Sequence, residues 1–178
     1  MAQALPPVPP LTKQGFEDPV WAKWLEKLRQ VVNMLAGAST SLFQAVPAAN
    51  QSLTAGAAQK VLFNTVMFNG VGTYTASQLK PNMPGKYRIT VNLEFSLNSA
   101  TLGKLFTYVY FNGVAVRASK RMTETGASGD VQSLFLSCML QFNGTTDYCE
   151  VWAASDSAAA TLFFTQPSSF WEVQYVGP

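Results

Sequence analysis

The 178-residue sequence contains no histidine. That removes the side chain that titrates near neutral pH, the usual base for a serine or cysteine nucleophile, and the commonest metal ligand. Charge is scarce as well: 12% of residues are Asp, Glu, Lys or Arg, about half the usual share. Twelve basic and ten acidic residues leave a net charge of +2, and the basic ones are scattered, which is no footprint for nucleic acid. Two cysteines, Cys138 and Cys149, are too few for the disulfide framework of a secreted domain. No apolar run approaches membrane-spanning length. The segment from Met1 to Pro7 has neither the basic start nor the apolar core of a secretory signal. These absences predict a protein assembled in cytoplasm and not inserted in a membrane. They also predict that it is no enzyme, with no catalytic residues, no metal and no cofactor.

What is present falls into four parts. Residues 1–17 form a Pro-rich N-terminal arm with Pro6, Pro7, Pro9 and Pro10. Such density favours an extended, internally unbonded chain, either a tail or a peptide laid on a partner surface. Residues 18–36 read as an amphipathic helix. Asp18 caps it, Pro19 suits its first turn and Gly37 stops it. Its apolar stripe is Trp21, Trp24, Leu25, Leu28, Val31, Val32 and Leu35. Alone it is marginal in water. Either it packs on its own domain or, as the low charge of the whole chain favours, it meets copies of itself or a larger partner. Residues 37–58, rich in Ala, Ser and Gly, read as a linker, with a short helix an option over 40–45.

Residues 59–178 read as one β domain. The expected strands are 60–68, 86–97, 105–111, 114–120, 131–142, 147–153, 161–165 and 170–176, rich in Val, Phe, Tyr and Thr and separated by turn residues. The fold class is mainly β: a single antiparallel jelly-roll sandwich preceded by the extended arm and one short helix. Phe-Asn-Gly occurs at 68–70, 111–113 and 142–144, where Asn-Gly supplies tight turns. With Asn143 and Gly144 as a two-residue hairpin loop, Cys138 and Cys149 would sit opposite each other on paired strands, close enough for a disulfide. Cytoplasmic assembly favours free thiols instead. Asp147, Glu150 and Asp156 lack calcium-loop spacing and read as solvated hairpin charges. Lys120 and Arg121, with Arg117 nearby, read as a solvated hairpin end. Phe106, Tyr108 and Tyr110 alternate along one strand. They form either a sugar-stacking strip or, the favoured reading, core or subunit interface. Trp171, Val173 and Tyr175 alternate along the last strand and share a face.

Phe63, Asn69, Tyr74, Leu79, Gly85, Tyr87, Ile89 and Val91 fall on a recognisable spacing. It resembles the signature of the globular heads of the complement-1q and tumour-necrosis-factor superfamily, with Leu79, Ile89 and Val91 where that family carries aromatics. The run from Ser168 to Val176 is similar to that family's last strand. The resemblance covers about two-thirds of the chain and leaves residues 1–58 out. It implies a homotrimer of jelly rolls packed around a threefold axis, with Phe106, Tyr108, Tyr110, Trp171 and Tyr175 as trimer interface or core. Arm, helix, linker and head in that order are similar to the plan of trimeric bacteriophage virion proteins. The expectation is therefore a virion structural protein: a head fibre, decoration protein or small tail fibre. Residues 1–36 would meet capsid or tail proteins, and the head would project outward, where a host-surface glycan is a possible ligand. The alternative is a soluble trimeric carbohydrate- or receptor-binding module.

Overall fold

Residues 84–97 alternate strictly between apolar and polar side chains, the period of a half-buried strand. In the computed structural model they form the long strand β7 (Pro84–Leu97). The structure describes residues 21, 23–25, 28, 42–97, 103–123, 131–156, 160–163 and 168–178. Tyr87, Ile89, Val91, Leu93 and Phe95 on β7 are fully buried, while Lys86 and Arg88 between them are exposed. Each such burial is worth about 1.5–3 kcal/mol against exposure, which fixes the strand's facing.

Six strands precede β7: β1 (Leu42–Val46), β2 (Gln51–Leu53), β3 (Gln59–Lys60), β4 (Thr65–Asn69), β5 (Gly72–Thr75) and β6 (Gln78–Pro81). Six follow it: β8 (Gly103–Phe111), β9 (Val114–Thr123), β10 (Val131–Asn143), β11 (Cys149–Ser155), β12 (Ala160–Phe163) and β13 (Phe170–Gly177). They make two sheets, a seven-stranded one in the order β2-β12-β7-β13-β1-β4 with β10 on β7, and a six-stranded one in the order β5-β6-β11-β8-β9 with β3 on β11. Every strand pair is antiparallel. One edge of β7 is covered by β10 along its length. The other is shared end to end, β13 taking residues 86–92 and β12 taking 94–97. The result is the expected antiparallel jelly-roll sandwich.

The core between the sheets is organised by two aromatic clusters. In the first, Trp171 is met by Phe43, Phe63 and Tyr74 at 5.1, 5.6 and 5.9 Å between ring centroids, and the Tyr74 hydroxyl donates to the Phe63 carbonyl at 2.7 Å. In the second, Tyr87 lies 5.2 Å from Phe142 and 5.1 Å from Tyr175. The Tyr87 hydroxyl donates to the Met83 carbonyl. Phe63, Tyr74, Leu79, Tyr87, Ile89 and Val91 of the sequence signature thus line or pack on one core. Asn69 is exposed and instead accepts from the Gly72 amide.

Gly85 shows why its position takes no side chain. Its φ is +147°, and a Cβ there would lie 2.5 Å from Tyr175 Cε2 and 2.7 Å from the Gly177 carbonyl oxygen. The expected hairpin at Asn112 and Gly113 is present, with φ of 50° and 80°, joining β8 to β9.

Three expectations need correction. Residues 37–58 are not all linker: β1 and β2 lie within them, and the compact units are Met1–Ser41 and Leu42–Pro178. The stretch 42–45 is strand rather than helix, because Phe43 and Ala45 point into the core beside Trp171 and β1 is paired on both edges, by β13 and β4. Asn143 and Gly144 do not close a hairpin between paired strands. The Asn143 carboxamide oxygen accepts from the amides of Thr145, Thr146 and Asp147, capping a loop that crosses from one sheet to the other. Cys138 therefore faces Ile89 on β7, Cys149 faces Phe111 on β8 and Leu79 on β6, and both are free thiols.

In the N-terminal unit, Trp21, Lys23, Trp24, Leu25 and Leu28 are helical. Trp21 and Trp24 meet edge to face at 5.5 Å. Trp21 is only 7% exposed within a single chain, whereas Leu25 is open to solvent. Val31, Val32 and Leu35, the arm 1–17 and the helix cap lie outside the described residues.

Candidate interaction surfaces

The outward faces of the two sheets differ in chemistry. On the seven-stranded sheet, β10 presents Val131, Phe135 and Met139 at every fourth residue, all exposed, while Leu134 and Leu136 turn into the core. Phe135 is 59% exposed. Its cross-strand neighbour is Asn92, and beyond that Phe170 on β13. Met139 lies beside Arg88 and then Gln174. At the far edge of the same face, Phe68 on β4 is 56% exposed, next to Gln44. Val66 and Met67 add to this edge, and Val114 and Val116 are exposed on edge strand β9 of the other sheet. Edge strands this apolar normally carry charges or are covered.

The six-stranded sheet presents an aromatic ladder. Residues 103–110 of β8 alternate between buried and half-buried, with Phe106, Tyr108 and Tyr110 on the outer side. Phe106 and Tyr108 are nearly parallel at 5.9 Å, Tyr108 meets Tyr110 edge-on at 6.3 Å, and Tyr110 stacks on Trp152 of β11 at 5.0 Å. Burial, and then the neighbouring Tyr110, push the Tyr108 hydroxyl's pKa above its ordinary value.

Beside the ladder lies a polar knot. Glu150, 6% exposed, accepts from Lys60 Nζ at 2.6 Å, Trp152 Nε1 at 3.0 Å and Gln78 Nε2 at 3.1 Å. Burial works against its ionisation. The three hydrogen bonds and the Lys60 charge outweigh burial, so the carboxyl titrates below its ordinary value. Lys60 Nζ also lies 6.0 Å from the Trp152 ring centroid.

Of the acidic group expected as solvated charges, Glu150 departs, being buried, whereas Asp156 is exposed and Asp147 bonds at the surface. Glu150 is in this knot, Asp147 accepts from the Asn112 side chain and the Asn143 amide, and Asp156 pairs with Lys104 at 3.3 Å. Among the described residues no three Asp, Glu or Cys side chains converge to hold a metal.

Of the expected head residues, Trp171 is core, with no exposure at all. Tyr175 is half-buried against Tyr87. Phe106, Tyr108 and Tyr110 do lie together, on the outward side of the six-stranded sheet. The structure adds residues that sequence reasoning missed. Phe135, Met139, Phe68 and Val131 carry the other face, and Trp152, Glu150, Lys60 and Gln78 complete the ladder. A signal for the first group was available. Val131, Phe135 and Met139 alternate with Leu134, Leu136 and Leu140, so strand 131–143 is apolar on both faces.

No family model and no curated protein matches the sequence. Solved structures do match. Murine APRIL at pH 5.0 aligns with a TM-score of 0.58 at 14% identity, over 76% of this chain and 98% of that one. Eiger TNF from S. frugiperda aligns with a TM-score of 0.55 at 11% identity, over 77% and 91%. The fold of residues 42–178 is that of a tumour-necrosis-factor-like jelly-roll head.

Proposed function

We propose that this protein is a homotrimeric structural protein of a bacteriophage virion, with a jelly-roll head that self-associates through the outward face of its seven-stranded sheet and an N-terminal region, residues 1–36, that attaches it to the particle. The observation that carries the self-association is the row Val131, Phe135 and Met139, exposed beside Phe170 with Phe68 across the sheet. Exposed apolar groups gathered on one face mark an association surface, and a threefold arrangement repeats that surface identically. A chain with 12% charged residues has little else to keep such a face in water. The likeness to tumour-necrosis-factor-like heads favours three copies over two. The virion assignment rests on the order of arm, amphipathic helix and head, and on the absence of histidine-based chemistry.

Sedimentation equilibrium of the full chain tests the first half. Phe135 leaves about 100 Å² open, worth about 2.5 kcal/mol per copy if covered. Phe135→Ser should therefore convert a trimer into monomers at micromolar concentration without changing the far-ultraviolet spectrum. A wild-type monomer refutes the trimer. Immunogold labelling of purified particles tests the second half, and particles devoid of the protein refute it.

A further inference from the structure

We propose that the outward face of β8 is a binding site for an uncharged oligosaccharide, with Phe106, Tyr108 and Tyr110 as its platform. This face lies on the opposite sheet from the self-association surface, so the proposal does not depend on the oligomer.

The three rings stand at alternate positions of one strand and span about 13 Å, the reach of a short sugar chain. On the β9 side the two tyrosines have small cross-strand neighbours, Ala115 opposite Tyr110 and Ala118 opposite Tyr108, both exposed, while Phe106 faces the exposed Lys120. Methyl-sized neighbours leave a shelf along the rings on which a pyranose can lie. On the β11 side the ladder is braced. Trp152 is engaged by Tyr110 and Lys60, and its indole N–H is held by Glu150. Trp152 is thus a positioning residue that fixes Tyr110, rather than part of the platform. A platform locked before binding loses little side-chain entropy when a ligand arrives.

The chemistry of the face selects the ligand. None of its strongly exposed large apolar residues lies on β8 or β11; those of the described residues are on β4, β9, β10, β13 and the loop at Leu62, apart from Leu25 of the helix. The ladder is instead amphipathic, with tyrosine rings for the apolar faces of a sugar and hydroxyls for its polar edge. On the β11 side the charges of Lys60 and Glu150 neutralise each other at 2.6 Å, which leaves Lys120, opposite Phe106 on β9, as the cation at one end of the platform.

Affinity electrophoresis of the native protein through gels containing dextran, mannan, xylan or the anionic polysaccharide alginate tests the proposal. Retardation by at least one neutral polysaccharide is expected. Tyr108→Ala and Tyr110→Ala should each weaken it about tenfold. Ala118→Glu, which blocks the shelf and leaves every ring in place, should abolish it. Sedimentation mass should be the same for all three variants. Four results overturn the proposal: no retardation by any neutral polymer, retardation that survives Tyr108→Ala and Ala118→Glu, retardation by alginate alone that depends on Lys120, and a fall in sedimentation mass in these variants, which would make the ladder a contact between copies.

Discussion

Replacing Gly85 with alanine separates two costs that are usually confounded. Gly85 and Gly56 both have positive φ, +147° and +76°. Around Gly56 a new Cβ would find nothing within 4 Å, whereas at Gly85 it would meet the Gly177 carbonyl oxygen at 2.7 Å and Tyr175 Cε2 at 2.5 Å. At Gly56 the left-handed backbone costs alanine about 1–2 kcal/mol, offset by about 0.4–1 kcal/mol from stiffening the unfolded chain. The net is about 1 kcal/mol or less. At Gly85 the backbone region costs about 1–3 kcal/mol. The Tyr175 ring can swing away, but the Gly177 carbonyl belongs to the β13–β7 pairing, so overpacking adds about 1–3 kcal/mol more. Gly85→Ala should therefore lose about 3–4 kcal/mol in urea unfolding, with the midpoint shifted by about 1 M or more at an ordinary m value, and Gly56→Ala should lose no more than about a third of that. Equal losses for the two variants would refute the argument that close approach, rather than φ alone, holds the glycine of the Gly85-Lys86-Tyr87 motif in place.

Three further outcomes follow from the buried polar groups. Because the Glu150 carboxyl titrates below its ordinary value, its contribution to stability is present above the unfolded carboxyl's pKa, about 4.3, and is lost as pH falls through the lower folded value; Glu150→Gln should flatten this part of the acid limb in urea midpoints, and an unchanged limb counts against the knot. Burial, and then the neighbouring Tyr175, push the Tyr87 hydroxyl's pKa up to about 12. The linked stability is complete below pH about 10 and lost as pH rises through about 12. Ultraviolet alkaline titration should show a component near pH 12 that Tyr87→Phe removes. Both cysteines should count as thiols in denaturant. In the native protein Cys149, fully enclosed and with its thiol pKa raised by burial, should resist a disulfide reagent, while half-buried Cys138 reacts first; a native mass two units below the dithiol form would contradict this.

The sequence made the β strands legible wherever alternation was strong. Strand 84–97 has five fully buried apolar side chains at every second position, and no other element matches that pattern. β1 stayed hidden because Leu42, Phe43, Gln44 and Ala45 carry only one large core side chain, Phe43, inside an Ala- and Ser-rich stretch. What makes it a strand is its two neighbours, β13 and β4, which are distant in sequence. Tertiary pairing overrode a linker-like composition. The aromatic ladder was legible as a pattern in 106, 108 and 110. Its side of the sheet, and the contribution of Trp152 and Glu150, depend on the β8–β11 register, which no local spacing encodes. The cysteine geometry failed for a related reason. An Asn-Gly pair admits a two-residue hairpin, yet the Asn143 side chain organises a longer crossing loop.

The position of β13 has a consequence for how the chain is made. It lies between β7 and β1, so the seven-stranded sheet is interrupted at its middle until Phe170–Gly177 is in place. The fragments β1–β4 and β7–β10 can pair earlier, but Trp171 must arrive before Phe43, Phe63 and Tyr74 have anything to close upon. A nascent chain halted before residue 170 would hold an open sandwich with a bare β7 edge and a half-built core. Folding of this head is accordingly slow for its size, because the β1–β13 pairings join residues more than a hundred positions apart. During that interval the exposed edges are open to wrong partners, so production at low temperature should raise the soluble yield.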